Sequence, residues 1–293
     1  MSVYTDVTLV IVCFNSENLI KKNLNELKKF NAILIDNSNS IKTFELVKDL
    51  QNVTYLKTFK NIGYGKANNI GVKKSNTPYI MILNPDILIN SKAIEILYEK
   101  YSKYENIGIL GPSLFDINSN RRSNGSISRL KNKMSKVSKY SEKYFAQGDT
   151  CYDYVIGCSI FISKDLFLNI GGFDENFFLY FEDNDICDRI YQNNKCVIEV
   201  PSAKMTHMQG LSASYNFLTN LKLSLIHKIS EYIYYSKYFS SLKLYSIILK
   251  HFFDYFQRCL VNLLLFRFKN SFKNMLRLIS IFLYLTKLYK IIY

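Results

Sequence analysis

The N-terminal part of this chain predicts an α/β fold built on a mostly parallel central sheet flanked by helices. Short β-branched apolar runs alternate there with segments of helical period, the pattern of strand–helix–strand units. Each run ends at polar residues, and in such sheets ligands bind beyond the carboxyl ends of the strands. The composition agrees. Of 293 residues, 48% are hydrophobic and 21% charged, a globular balance that excludes wholesale disorder. With 11 Gly and 4 Pro, collagen-like and Pro-rich architectures are excluded too.

The elements follow in order. Thr8–Cys13 reads as a buried strand. The surrounding apolar stretch Val7–Phe14 is too short for a signal peptide, follows Asp6 and lacks a basic leader. Asn15 or Ser16 can cap a helix carrying Leu19, Ile20, Leu24 and Leu27. Ala32–Ile35 is a second strand, ending at Asp36. Phe44–Leu50 is read as a helix, Val53–Leu56 as a third strand, and Tyr79–Leu83 as a fourth, ending at Asn84-Pro85-Asp86. Ala93–Tyr101 is helical, and Ile107–Leu110 is a strand closed by Gly111-Pro112. Residues 118–150, rich in Ser, Asn, Lys and Arg, read as a solvated loop or as a lid over an anionic ligand through Arg121, Arg122 and Arg129. Ile186–Tyr191 is a helix. Cys196–Val200 is a strand, followed by a turn that holds His207.

The charge is uneven. The net charge is +14, yet residues 216–293 hold 12 Lys/Arg against 2 Asp/Glu. That shift predicts a boundary near residue 215, with a domain over 1–215 and a helical, basic and aromatic region over 216–293. Its longest uncharged stretches, Cys259–Phe266 and Leu278–Thr286, fall short of the ~18–20 residues that span a bilayer. The pattern suits helices lying in an anionic membrane surface, apolar face down. A helical subdomain with a solvated basic face is the alternative. No nucleic-acid module is recognised, and the many Leu, Ile and Phe side chains argue against a solvated groove, so no nucleic-acid partner is expected. Six cysteines without a C-x-x-C pair argue against a zinc-thiolate site and read as reduced cytoplasmic thiols. No G-x-G-x-x-G follows the first strand, which counts against a dinucleotide oxidoreductase.

Three constellations bear chemistry. Asp86, in Asn84-Pro85-Asp86, is a carboxylate at a strand end, placed to hold Mg²⁺ or Mn²⁺ beside a diphosphate; a plain turn fits the same residues. Glu182 and Asp183 follow the aromatic run Phe177–Phe181. Aromatic walls can keep a carboxylate in a partly dry pocket as a general base, although first-turn acids of the next helix would look the same. His207, taken by itself, fits a structural side chain.

Together these residues change the reading. The chain resembles inverting glycosyltransferases of family 2, which have the GT-A fold, and within them rhamnosyltransferase-type enzymes of bacterial surface polysaccharide assembly. The matching residues are Val10–Ser16, Leu34–Ser38, Asn61–Gly71, Leu83–Asp86, Gly157-Cys158-Ser159, Gly171–Glu175, Phe181–Asp185 and His207. The resemblance implies roles: Asp183 as catalytic base with Glu182 beside it, and Asp86 with His207 at a divalent metal, Mg²⁺ or Mn²⁺. Asn15 and Asp36 would bind the nucleoside, and Asn61, Gly63, Asn68 and Asn84 would approach the donor. Asn84 stands where the family usually has Asp, which removes one charge. The implied activity is metal-dependent transfer of a sugar from dTDP-rhamnose or a UDP-hexose to a glycan or polyprenyl-linked acceptor, in O-antigen or capsule synthesis. The expected location is cytoplasmic, peripheral on the inner face of the cell membrane. A non-catalytic sugar-nucleotide-binding or scaffold protein of the same pathway is the alternative, and Asn84 is its best argument.

Overall fold

The computed structural model describes residues 2–122, 124–126, 145, 147–208 and 217–291. Arg129 lies outside the described residues. The chain forms two compact units: Met1–Asp174 with Glu182–Ala213, and Glu175–Phe181 with Ser214–Tyr293.

The first unit opens with α1 (Val3–Asp6), β1 (Val7–Cys13), α2 (Glu17–Leu27), β2 (Asn31–Asp36), α3 (Lys42–Val47), β3 (Val53–Lys57), α4 (Tyr64–Lys74) and β4 (Tyr79–Leu83). Then come β5 (Ile87–Leu88), α5 (Ser91–Tyr101), β6 (Ile107–Phe115), β7 (Arg121–Arg122), β8 (Gly125–Ser126), β9 (Thr150–Cys151), β10 (Tyr154–Val155) and β11 (Ser159–Ser163). The unit closes with α6 (Lys164–Asn169), α7 (Glu182–Gln192) and β12 (Cys196–His207).

The main sheet is mixed, in the order β3-β2-β1-β4-β11-β6-β12-β5. Strands β3, β2, β1 and β4 are parallel. Mixing begins at β11, which pairs antiparallel with both β4 and β6. Every residue of β1 is buried, because the sheet is covered on both faces: Leu9, Ile11 and Cys13 enter one core, Val10 and Val12 the other. That is why the run is unbroken rather than alternating. Helix α4 lies close on the second face. A Cβ at Gly71 would stand 2.6 Å from both Val10 and Ile35, so only glycine admits that approach.

Two strands run further than expected. Strand β6 does not close at Gly111-Pro112 but continues to Phe115. Strand β12 continues past Pro201 to His207. The two pair in parallel, with a register shift between Val200 and Lys204 opposite Pro112–Ser113. This irregularity absorbs both prolines, which lack the N–H a regular ladder needs. His207 is therefore the last residue of a strand, paired with Ile87 of β5, and not part of a turn. Arg121 and Arg122 pair with β6 and are tied to Glu199 and Asp116 at 3.0 and 2.7 Å.

The second unit consists of the segment Glu175–Phe181 with three helices, α8 (Phe217–Tyr238), α9 (Ser241–Leu264) and α10 (Phe268–Leu285), and a terminal 3-10 turn. Ser240 caps α9 by accepting from Lys243 N. Among the described residues no helix is long and apolar enough to cross a membrane. Helix α9 buries Leu244, Ile248 and Tyr255, yet Leu242, Tyr245, Leu249, Phe253, Phe256 and Leu260 on another face remain exposed. Their spacing of three and four residues draws one stripe along the helix.

Candidate active site

The site lies at the carboxyl ends of the parallel strands. Asp36, the last residue of β2, is fully buried. Its carboxylate accepts from Tyr55 OH at 2.8 Å and Ser38 N at 2.9 Å. Burial, then that contact, pushes the Tyr55 hydroxyl far up. Asn37 follows and acts as a hub. Its N–H donates to Cys13 O at 2.8 Å, tying β2 to the end of β1. Its side-chain amide donates to Gly63 O at 3.1 Å and Asn61 Oδ1 at 3.3 Å, and its Oδ1 accepts from Thr58. Asn61 Oδ1 also accepts from Gly63 N. Gly63 has a φ of 92°, a left-handed geometry that glycine adopts without strain, and there α4 begins.

Asn15 is exposed, with a φ of 51°, and no described contact links it to this network. Asn68 is fully buried. Its amide donates back to Tyr64 O, while its Oδ1 has no hydrogen-bond partner.

Asn84-Pro85-Asp86 is a turn in which Ile87 N donates to Asn84 O at 3.1 Å. Asn23 of α2 clamps the strand behind it, donating to Ile87 O and accepting from Ile89 N at 2.9 Å each. Asp86 is almost completely buried, and its Oδ2 stands 3.2 Å from His207 Nε2. The strand pairing of His207 with Ile87, and a bond from Met208 N to Asp86 O at 2.8 Å, hold the two together. Asp86 Oδ1 and Asn84 Oδ1 are buried without hydrogen-bond partners. Among the described residues no group of three His, Cys, Asp or Glu is assembled.

Glu182 and Asp183 form the start of α7 rather than preceding it, so the first-turn reading and the pocket reading describe one place. Asp183 accepts from Gly157 N at 3.0 Å and Asn184 N at 2.9 Å. Burial raises its carboxyl above the ordinary Asp range while these bonds act against the rise. Glu182 is 5% exposed, its Oε2 has no partner, and burial followed by the Asp183 charge pushes it well above the usual Glu range. Asp185 instead pairs with Arg189 at 2.8 Å.

Three residues outside the expected set join these pieces. Cys158 O accepts from Asn84 N at 2.8 Å, and its buried thiol is raised first by burial, then by Asp86 and by Asp183. Gly157 and Cys158 thus link the Asp183 carboxylate to the Asn84-Pro85-Asp86 turn. Tyr64 OH, at the start of α4, donates to Gly157 O at 2.7 Å. A Cβ at Gly157 would stand 3.0 Å from Asp183 Cβ, so a side chain there would press directly on the carboxylate's own residue. The motif Gly157-Cys158-Ser159 carried the signal for two of these residues, and Tyr64 lies within Asn61–Gly71.

The parallel strands thus end at a buried acid–histidine pair, Asp86 and His207, and at a backbone-held carboxylate, Asp183. The model of glycosyl transferase family 2 matches residues 8–168, and the chain belongs to that family. A second model, for the N-terminal domain of galactosyltransferase, matches residues 132–212. The chain is 25% identical over 234 residues to the N-acetylglucosaminyl-diphospho-decaprenol L-rhamnosyltransferase of Mycobacterium tuberculosis, covering 69% of this chain and 73% of that protein. It is 27% identical to the dTDP-rhamnosyl transferase RfbF of Shigella flexneri, over 70% of each. Among solved structures, it superposes on a mannosyltransferase from Pyrobaculum calidifontis in complex with GDP-Man and Mn2+ with a TM-score of 0.53 at 12% identity, covering 96% of this chain and 74% of that one. Against GalNAc-T7 with UDP, GalNAc and Mn2+ the TM-score is 0.51 at 15% identity, covering 78% of this chain and half of that one.

Proposed function

We propose that this glycosyltransferase moves a sugar, with inversion, from a nucleoside diphosphate donor to a hydroxyl of a glycan or lipid-linked acceptor in bacterial surface polysaccharide synthesis. The rhamnosyltransferase relatives favour dTDP-rhamnose as donor, with a UDP-hexose next. The observation that carries the reading is Asp183, held by Gly157 N and Asn184 N beside Cys158, whose carbonyl accepts from Asn84 N of the turn that carries Asp86.

Asp36, the Asn37–Asn61–Gly63 network and Asn15 bind and orient the donor nucleoside. Asp86 and His207 would hold a divalent cation, Mg²⁺ or Mn²⁺: the unpartnered Asp86 Oδ1 and the nearby His207 ring nitrogen suit one. When bound, the cation neutralises charge on the leaving diphosphate. Asn84 contributes a neutral oxygen where a second carboxylate would add charge. Asp183 removes the proton from the acceptor hydroxyl as that oxygen attacks the anomeric carbon. The bond to the diphosphate oxygen breaks on the opposite face, through an oxocarbenium-like transition state. Burial, then the Asp183 charge, pushes the Glu182 carboxyl up, which favours its neutral form and opposes two adjacent negative charges in the site.

Helix α9 is the seat of membrane attachment. Its exposed stripe, flanked by Lys250 and Arg258, lies on the anionic inner face of the cell membrane. The test of the whole reading is to incubate the purified protein with a panel of nucleotide sugars and an N-acetylglucosaminyl-diphospho-lipid. Transfer from one donor, abolished by chelator and restored by Mg²⁺ or Mn²⁺, is expected. Donor binding with neither hydrolysis nor transfer would instead favour a binding protein without turnover.

A further inference from the structure

Two open hollows on the C-terminal unit meet at shared lining residues, which form a neck between them. One, of about 990 Å³, is walled by Phe217, Leu221, Leu263, Phe268, Phe272 and Met275, with Lys269 and Lys273 also on its lining. The other, of about 520 Å³, is lined by Tyr180, Leu223, His227 and Lys228. Asn220, Ser224 and Arg277 border both. Nothing assigned above to donor binding or proton transfer uses either cavity.

The neck is cationic. Lys228 is paired with Glu231 at 2.5 Å, so its charge is met within the protein. Arg277 donates to the neutral Asn274 Oδ1 at 3.2 Å and lies 5.3 Å over the Tyr255 ring. Those contacts orient the guanidinium without neutralising it, and a guanidinium fork matches phosphate oxygens. An apolar chamber joined at an arginine to a polar one suits an anionic amphiphile, a hydrocarbon ending in a phosphate.

We propose that this groove binds the lipid carrier of the acceptor, with isoprenyl units in the apolar chamber and the phosphate or diphosphate at Arg277. The proposal rests on the reading of a lipid-linked acceptor. That reading selects an isoprenyl phosphate over bulk phospholipid, because the carrier must bring a sugar hydroxyl to the base. The chain order fits: Tyr180, on the polar chamber, stands three residues before Asp183.

The experiment uses the full chain and a fluorescent, diazirine-bearing farnesyl phosphate. Saturable binding is expected, with farnesol weaker and inorganic phosphate unable to compete. Light-induced labelling should fall on peptides containing Phe217–Ser224 and Phe268–Arg277. Ser224→Trp, which fills the neck, should weaken binding at least tenfold. Arg277→Gln should weaken farnesyl phosphate while leaving farnesol unchanged. Both variants should raise KM for the lipid-linked acceptor and leave KM for the donor alone, with circular dichroism confirming the fold. The proposal is overturned if Ser224→Trp binds like wild type, if label falls outside those helices, or if phosphatidylglycerol competes equally. Failure of the wild type to turn over any donor, with binding and labelling intact, would overturn the glycosyltransferase reading and still support the groove.

Discussion

The two units fail to satisfy themselves in opposite ways. In the first, both sheet faces are covered by apolar cores and the unmet needs at the strand ends are polar: the oxygens of Asp86, Asn84, Asn68 and Glu182 are buried without hydrogen-bond partners. In the second, polar groups such as Glu231 are paired with Lys228 and Tyr235, and the unmet needs are apolar. Leu242, Leu264 and Phe266 are each more than three-quarters exposed. A buried unpaired oxygen costs roughly 1–3 kcal/mol, and an exposed apolar stripe forgoes roughly 25 cal/mol per Å². Each deficit marks the chemistry that would meet it: cation and nucleotide for the first unit, lipid for the second.

The largest test of that contrast is Asp183→Asn. It should leave folding and donor binding nearly intact and lower turnover by roughly 10²–10⁴-fold; near-wild-type turnover would remove Asp183 from the role of base. Because burial raises its carboxyl, the acid limb of turnover against pH should lie above the ordinary Asp range, with activity rising as pH rises through it. Asp86→Ala should be worse than His207→Ala in metal titrations of activity, since the carboxylate also offsets cation charge. Equal losses would mean that the two do not share one ion.

Gly157→Ala comes next. The added methyl forces Asp183 to move, and a small misplacement of a reacting group costs about 10²-fold. An unchanged kcat would show the cleft to be more pliant than drawn. On the lipid side, Lys250→Glu with Arg258→Glu should lower sedimentation with anionic vesicles by roughly tenfold or more, at ~1 kcal/mol per cation. High salt should release the wild type only in part, because screening spares the apolar term. Equal partitioning, together with a concentration-dependent dimer, would give the α9 stripe to a second copy instead.

The smallest effect is on stability. Glu182 is held above its unfolded value, so the native state keeps a proton that the unfolded chain releases. Stability then falls as pH rises from the ordinary Glu range through the raised one. Glu182→Gln should flatten that slope and raise the melting temperature at neutral pH by about 2 °C or more.

Strands β1 to β4 were legible because two-sided burial writes a strand as a continuous apolar run. Helix α4 was not read as one: it starts on Gly63 and carries Gly65 and Gly71, poor helix formers kept because Phe173 and the sheet press too close for a Cβ. The strand carrying His207 was cut short at Pro201 because a register shift depends on the partner strand and leaves no local mark. The acid pair was plain in the sequence. What separates its members is Gly157, 26 residues earlier, and a contact at that separation has no periodicity to betray it. The same holds for Asn37, whose side chain ties the end of β2 to residues 58–63 through hydrogen bonds alone.

Glu175–Phe181 belongs to the second unit while its neighbours on both sides belong to the first. Ser230 Oγ donates to Leu179 O, Phe181 packs on Tyr234 and His227, and Tyr180 and Phe181 both sit at left-handed φ. The halves are thus interleaved in sequence, and no single cut parts them. A chain ended at Tyr215 would strand Phe181 without Tyr234 and His227, so aggregation rather than a tidy soluble enzyme is the expected outcome. For anyone building chimaeras, the transplantable part is discontinuous. A new C-terminal region has to be grafted together with its own version of residues 175–181, and the splice then falls at the peptide bond entering Glu182.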